Sequence, residues 1–80
     1  MFTVYVLKSS VSGKRYVGYT EKPVLLRLSE HNSGSNKWTR NQKPLTLIYK
    51  EEFNNKTEAR KREIFLKSGQ GRKFLDNILS

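Results

Sequence analysis

The chain opens with two short runs rich in β-branched and aromatic residues, "FTVYVLK" (2–8) and "KRYVGYT" (14–20), separated by Ser9-Ser10-Val11-Ser12-Gly13. Runs of that composition favour strands, and serine and glycine supply turn chemistry, so the segment predicts an antiparallel β-hairpin. With a loop over Ser9 to Ser12, Lys8 pairs with Gly13, Tyr5 lies opposite Tyr16, and Val4 lies opposite Val17. Side chains alternate faces along a strand. Phe2, Val4, Val6, Val17 and Tyr19 therefore share one face, and Thr3, Tyr5, Leu7, Tyr16 and Gly18 share the other. This assignment is conditional on the register, since a slip of one residue exchanges the faces. It puts Tyr19 with the core valines and leaves Tyr5 and Tyr16 as a pair of phenols on one side.

Beyond the hairpin, Pro23 suits the first turn of a helix running to about Ser33, with Thr20 or Glu21 as its cap. Val24, Leu25 and Leu28 supply its buried stripe, and Gly34 ends it. A polar, basic loop follows, "SGSNKWTRNQKP", which carries the only tryptophan. Leu45 to Phe53 reads as a third strand. Asn55 with Glu58 three residues later forms a capping box for a helix running to about Ser68, closed by Gly69. After a Gly69-Gln70-Gly71 break, Phe74, Leu75, Ile78 and Leu79 recur at helical spacing, which predicts a short docking helix over Arg72 to Leu79. The expectation is a single domain over residues 1–80 of α/β (α+β) class: a three-stranded antiparallel sheet flanked by helices, in the order β-β-α-β-α-α.

Sixteen Lys and Arg against seven Asp and Glu give the chain a formal charge of +9. A field of that size on a small domain attracts polyanions and repels cationic partners. Nucleic acid is the leading partner by this criterion, and the alternative is a basic protein kept soluble by its charge. A membrane partner is disfavoured, because no long amphipathic helix with an aromatic insertion face is evident. The absence of cysteine excludes disulfides and thiolate metal sites and accords with a reducing compartment. The N-terminal run lacks the pattern of a signal peptide and no apolar stretch is long enough to span a bilayer, so a cytoplasmic location is expected.

Several residues have chemistry beyond packing. Arg27 and the only histidine, His31, are four apart and share one helix face; taken alone, a helical histidine is usually structural or solvated. Glu63 falls on the face of its helix that carries Ala59 and Leu66, while Arg60, Lys61 and Lys67 point elsewhere. It reads either as an ion-pair partner or as an oxygen ligand for Mg²⁺, a cation that takes one or two carboxylates and completes its shell with water and phosphate. Lys37, Trp38, Arg40 and Lys43 combine cations for phosphates with a ring for base stacking, and Lys14 adds a cation at the hairpin turn. Trp38 has the alternative of folding back onto the core.

The order of these features along the chain is more specific than any one of them. "TVY" (3–5), "YVG" (16–18), "RL" with His31 three residues beyond, and "KREIFLKSGQGRKFL" together resemble the GIY-YIG nuclease family. The likeness is to its small stand-alone branch, which is similar to the nuclease domain of the bacterial excision-repair incision subunit. That resemblance implies a DNA endonuclease active in repair or recombination, dependent on Mg²⁺ or Mn²⁺ and leaving 5′-phosphate and 3′-hydroxyl ends. It implies catalytic roles for Tyr5, Tyr16, Arg27, His31 and Glu63, with Glu63 as the metal ligand, Tyr16 as the base and Tyr5 as the positioning group. DNA, branched or damaged, is the implied substrate, with a protein partner or a second copy of the chain as further partners. The alternative on the same fold is a nucleic-acid-binding module with weak or no turnover. Thr3 replaces the glycine of the first motif, Tyr19 stands where some members carry lysine, and Leu75 occupies the distance at which many members carry asparagine.

Overall fold

The computed structural model describes residues 1–34 and 41–79. Phe2–Ser9 (β1) and Arg15–Thr20 (β2) form the expected hairpin, and Leu45–Phe53 (β3) pairs antiparallel with the other edge of β1, giving the order β2-β1-β3. As the central strand, β1 is covered on both faces, so Thr3 to Leu7 is buried without a break instead of alternating. Val24–Asn32 (α1) covers one face, and Lys56–Lys67 (α2) with Gly69–Leu79 (α3) covers the other. The element order is the one the sequence predicts.

The sheet separates two small apolar layers. Val4 and Val6 pack with Ala59, Leu66 and Leu75 under α2 and α3, while Tyr5 and Leu7 pack with Leu45, Val24 and Leu28 under α1. Burying one such side chain contributes roughly 1.5–3 kcal/mol, so each layer rests on a handful of residues. A bulge in β3 skips Ile48 between the Val6–Tyr49 and Leu7–Leu47 pairs. Ile48 and Tyr49 consequently both turn toward the α2/α3 layer, while Leu47 joins the α1 layer. Among the described residues no helix is long and apolar enough to cross a membrane.

The hairpin register differs from the expected one by two residues: Tyr5 faces Gly18, Val6 faces Val17 and Leu7 faces Tyr16. A shift of two preserves parity, so every face assignment stands while the Tyr5–Tyr16 pairing does not. The cause is Ser9. Its Oγ accepts from the backbone N–H groups of Val11 and Ser12 and donates to the carbonyl of Gln42, which organises a longer turn around it. Gly13, at φ 75°, takes the left-handed step that returns the chain to Lys14. Ser9 is therefore the hub of the turn and not its first free residue.

The last two helices also begin and end differently from expectation. Ser68, extended at φ −80° and ψ 170°, closes α2. Gly69 to Gly71 then form the first turn of α3, where the sequence suggests a break; the Ser68 hydroxyl accepts from the Gly71 N–H and its carbonyl from the Arg72 N–H. Gly71 is required for proximity, because a Cβ there would lie 2.0 Å from the Phe65 carbonyl oxygen. Arg62 completes this junction, stacked against Phe65 and Phe74 and held by both oxygens of Glu51 on β3. Half of the expected Asn55 capping box forms: its Oδ1 accepts from the Glu58 N–H, with no return bond from the Glu58 side chain. Helix α1 instead starts after Pro23 without a side-chain cap, and Thr20 accepts from the Lys22 N–H ahead of it.

Candidate active site

Helix α1 lies across the Tyr5 face of the sheet. Val24 and Leu28 pack there, but Leu25, expected in the stripe, is 68% exposed. His31 continues the Val24–Leu28 row one turn on and is the only fully buried residue of the helix. A helical position at that spacing is apolar by default, so a histidine there needs a polar partner. Tyr5 supplies it: the hydroxyl and His31 Nε2 are 3.0 Å apart. The Tyr16 ring packs edge-on against the imidazole, with centroids 5.0 Å apart, and the two tyrosine rings lie 6.5 Å apart. Tyr5 and Tyr16 thus meet diagonally across the strand pair, on the shared face the alternation predicts.

Gly18 explains how the Tyr5 hydroxyl reaches this position. Its direct strand partner is Tyr5, and a Cβ on Gly18 would lie 2.5 Å from the tyrosine oxygen. The ring lies across the space that a side chain would fill. The second motif needs its glycine for that reason, a role outside the sequence-based list of site residues although the "YVG" triplet marks the position.

Arg27 sits one turn before His31, and its guanidinium donates to Glu30 at 3.0 Å. Glu30 also accepts from Lys22 at 2.8 Å, and these two cations hold its carboxyl below the usual range. Glu30 thereby orients Arg27, and its i, i+3 spacing was the available signal for it. Burial pushes the Tyr5 phenol up to about 12, Tyr16 adding to the rise while the charge and hydrogen bonding of Arg27 pull against it. Tyr5 is a protonated, fixed hydroxyl at neutral pH.

Glu63 approaches from the α2 side, where Ala59 and Leu66 are buried as the helix face predicts. Its side chain is only 12% exposed, with Arg60 3.2 Å from one oxygen and Lys67 3.0 Å from the other. These cations reach around the helix, where the sequence reading had them pointing away. The carboxylate's field extends to Tyr5 and contributes to its raised pKa. Among the described residues no three His, Asp or Glu side chains converge on a point. A lone, partly buried carboxylate of hard oxygen donors fits a magnesium-type cation whose remaining ligands are water and substrate phosphate. Lys14 is exposed at the hairpin turn. Lys43 is exposed beside Gln42 and Pro44, both hydrogen-bonded to that turn. Lys37, Trp38 and Arg40 lie outside the described residues. Leu75 is buried in the core, and Asn77 is exposed on α3.

The site carries a pH signature. His31 is faced by Tyr5 of β1, Tyr16 of β2, and Arg27 and Glu30 of its own helix. Burial first, and the Arg27 charge second, push its pKa down to about 4 from 6.5, against a smaller opposing pull from Glu30. The unfolded chain takes up this proton near 6.5 and the folded one only near 4, so stability is lost as pH falls through that window. The full gap corresponds to about 3 kcal/mol. Melting temperatures are expected to hold above pH ~7 and to fall below it, with a shallower fall in His31→Gln, which keeps a polar group but cannot ionise. An unchanged slope in that variant would assign the loss to other groups.

Known proteins resemble this chain over most of its length. The family description "GIY-YIG catalytic domain" matches residues 1–75. A UPF0213 protein of Halobacterium salinarum is 44% identical over 68 residues, covering 84% of this chain and 86% of the relative. Another, of Staphylococcus saprophyticus, is 37% identical over 76 residues, covering 94% and 90%. A third, of Staphylococcus aureus, is 41% identical over 66 residues, covering 81% and 78%. No solved structure matches. With its two tyrosine motifs on adjoining strands of one hairpin and the match reaching from β1 into α3, the chain belongs to the GIY-YIG nuclease family.

Proposed function

We propose that this protein is a metal-dependent endonuclease that hydrolyses DNA phosphodiester bonds to 5′-phosphate and 3′-hydroxyl ends, in DNA repair or recombination. The observation that carries the reading is the junction of Tyr5, Tyr16 and His31 in one contact cluster, with Arg27 and Glu63 close enough to act on the Tyr5 hydroxyl. Glu63 would hold Mg²⁺ or Mn²⁺, which when bound would supply positive charge to the phosphate under attack. Arg27, steadied by Glu30, neutralises charge that builds on the phosphate in the transition state. Tyr5 acts as a positioning hydroxyl for water or phosphate. Its raised pKa and its bond to His31 support that role over one as a base. Neutral His31 fixes that hydroxyl, and the half-buried Tyr16, once its own phenol proton has passed to solvent, takes the proton of the attacking water.

The second reading, a DNA-binding module of low turnover, draws support from the buried leucine at position 75. Nicking of supercoiled plasmid separates the two. Nicks are expected with Mg²⁺ or Mn²⁺, none with EDTA, and DNA ligase should reseal them, since it joins only a 5′-phosphate to a 3′-hydroxyl. Binding without nicking selects the second reading; nicks that ligase cannot seal contradict the proposed bond cleavage.

A further inference from the structure

The surface opens into a groove of about 860 Å³ between the hairpin turn on one side and α2 and α3 on the other. Lys14 and Arg15 belong to its hairpin wall, and Lys67 and Arg72 to its helical wall. Leu66 and Leu75 lie behind it at 2% exposure each, and the Tyr16 ring is turned to the opposite face of the sheet, against His31. What the groove presents to solvent is therefore mostly positive charge. Asp76 pairs with Arg15. Lys14 and Arg72 are exposed and have no carboxylate partner among the described residues.

Cations on two facing walls suit a row of phosphates better than a single anion. With no ring or apolar shelf to take a base, the contact is to backbone alone. A free nucleotide would leave its base unsupported there, whereas a DNA backbone brings successive phosphates past both walls. Lys67 links the groove to the candidate site: it lines the one, and its Nζ lies 3.0 Å from Glu63 in the other. The lysine of that pair is 53% exposed, and ion pairs so open to water are weak. A phosphate in the groove offers the ammonium an equivalent anion.

We propose that this groove seats the phosphates of a DNA backbone, and that Lys67 turns from Glu63 to one of them when the backbone binds. The exchange takes one cation off the carboxylate that would hold the metal, at the moment substrate arrives. The inference deepens the nuclease reading but is testable without turnover. In EDTA, fluorescence anisotropy of a labelled duplex over a salt series gives the slope of log affinity against log salt, which counts phosphates neutralised. Lys14→Ala with Arg72→Ala is expected to make that slope shallower by about 2, and Lys67→Ala alone by about 1. Lys50→Ala with Lys56→Ala removes the same charge from the far edge strand and the start of α2, and should leave the slope as it is. All six positions are exposed, so melting temperatures should hold. An equal change in the Lys50/Lys56 pair would spread the contact over the whole surface and overturn the inference. A slope unmoved by Lys67→Ala would keep that lysine on Glu63 and overturn it too, as would displacement of the duplex by micromolar ATP, which would make the groove a nucleotide pocket. The expected slopes in a protein that nicks nothing with metal would leave it standing and sink the nuclease reading instead.

Discussion

Glu63→Ala is expected to lower metal-dependent nicking by at least about 10²–10³-fold, the range seen when one transition-state-stabilising group is removed, while fold and DNA affinity persist. The structure makes this a sharp test because Glu63 has an ordinary alternative role. Arg60 and Lys67 stand three and four residues away on the same helix and bind both its oxygens, as surface ion pairs do. Those cations are 54% and 53% exposed, and such pairs contribute about 0.2–1 kcal/mol. Alanine is also the better helix former. The substitution therefore changes melting temperature little, and the freed cations bind phosphate at least as well as before. If the carboxylate is only an ion-pair partner, nicking continues undiminished. If it holds the metal, nicking disappears while anisotropy still reports salt-sensitive DNA binding. Glu63→Gln should resemble alanine, since an amide keeps the shape without the charge a divalent cation needs.

The parts of the fold that were legible in the sequence follow from parity and periodicity. Both faces of the hairpin, the order of the elements, the Asn55 cap and the placement of Glu63 beside Ala59 and Leu66 depend on periods of two and 3.6 residues, which local sequence carries. What local sequence does not carry is contact between distant segments. The hairpin register was out by two because Ser9 is tied to Gln42, which lies 33 residues away along the chain. The start of α3 was missed because Gly69 and Gly71 resemble a linker, while Gly71 serves close contact with the backbone of Phe65 and Leu66. Leu25 was placed inside by its hydrophobicity, whereas the inward row belongs to Val24, Leu28 and His31.

The candidate site shows the same division. Tyr5, Tyr16, Arg27 and His31 could be grouped from spacing and family likeness, but the reason for a histidine on a buried row is the Tyr5 hydroxyl from another element. The order of the tyrosines also acquires a physical basis only in three dimensions. Tyr5, on the central strand, is 1% exposed, whereas Tyr16, on the edge strand, is half-buried. The proposed roles follow this burial: the buried phenol positions, and the one at the rim is nearer to water.

Gly18→Ala is the substitution in which fold and chemistry should fail together. A methyl group at this position would meet the Tyr5 oxygen at 2.5 Å and the ring carbon bearing it at 2.6 Å. Tyr5 cannot swing freely, because its ring is enclosed by Leu7, Leu45, Tyr16 and α1 and its hydroxyl is bound to His31. Overpacking of this kind costs about 1–3 kcal/mol, which in a domain of this size lowers the melting temperature on the order of 10 °C. The displaced hydroxyl leaves His31, and misplacement by about 1 Å is expected to lower nicking roughly 10²-fold even in the fraction that remains folded. Pairing the change with Tyr5→Leu separates the two effects. The smaller side chain frees the space, so the double variant should cost less stability than the sum of the single changes, yet it restores no nicking because the hydroxyl is gone. Full activity in Gly18→Ala would mean that the hydroxyl need not be held where it lies. Strict additivity in the double variant would mean that Tyr5 and Gly18 do not share that space.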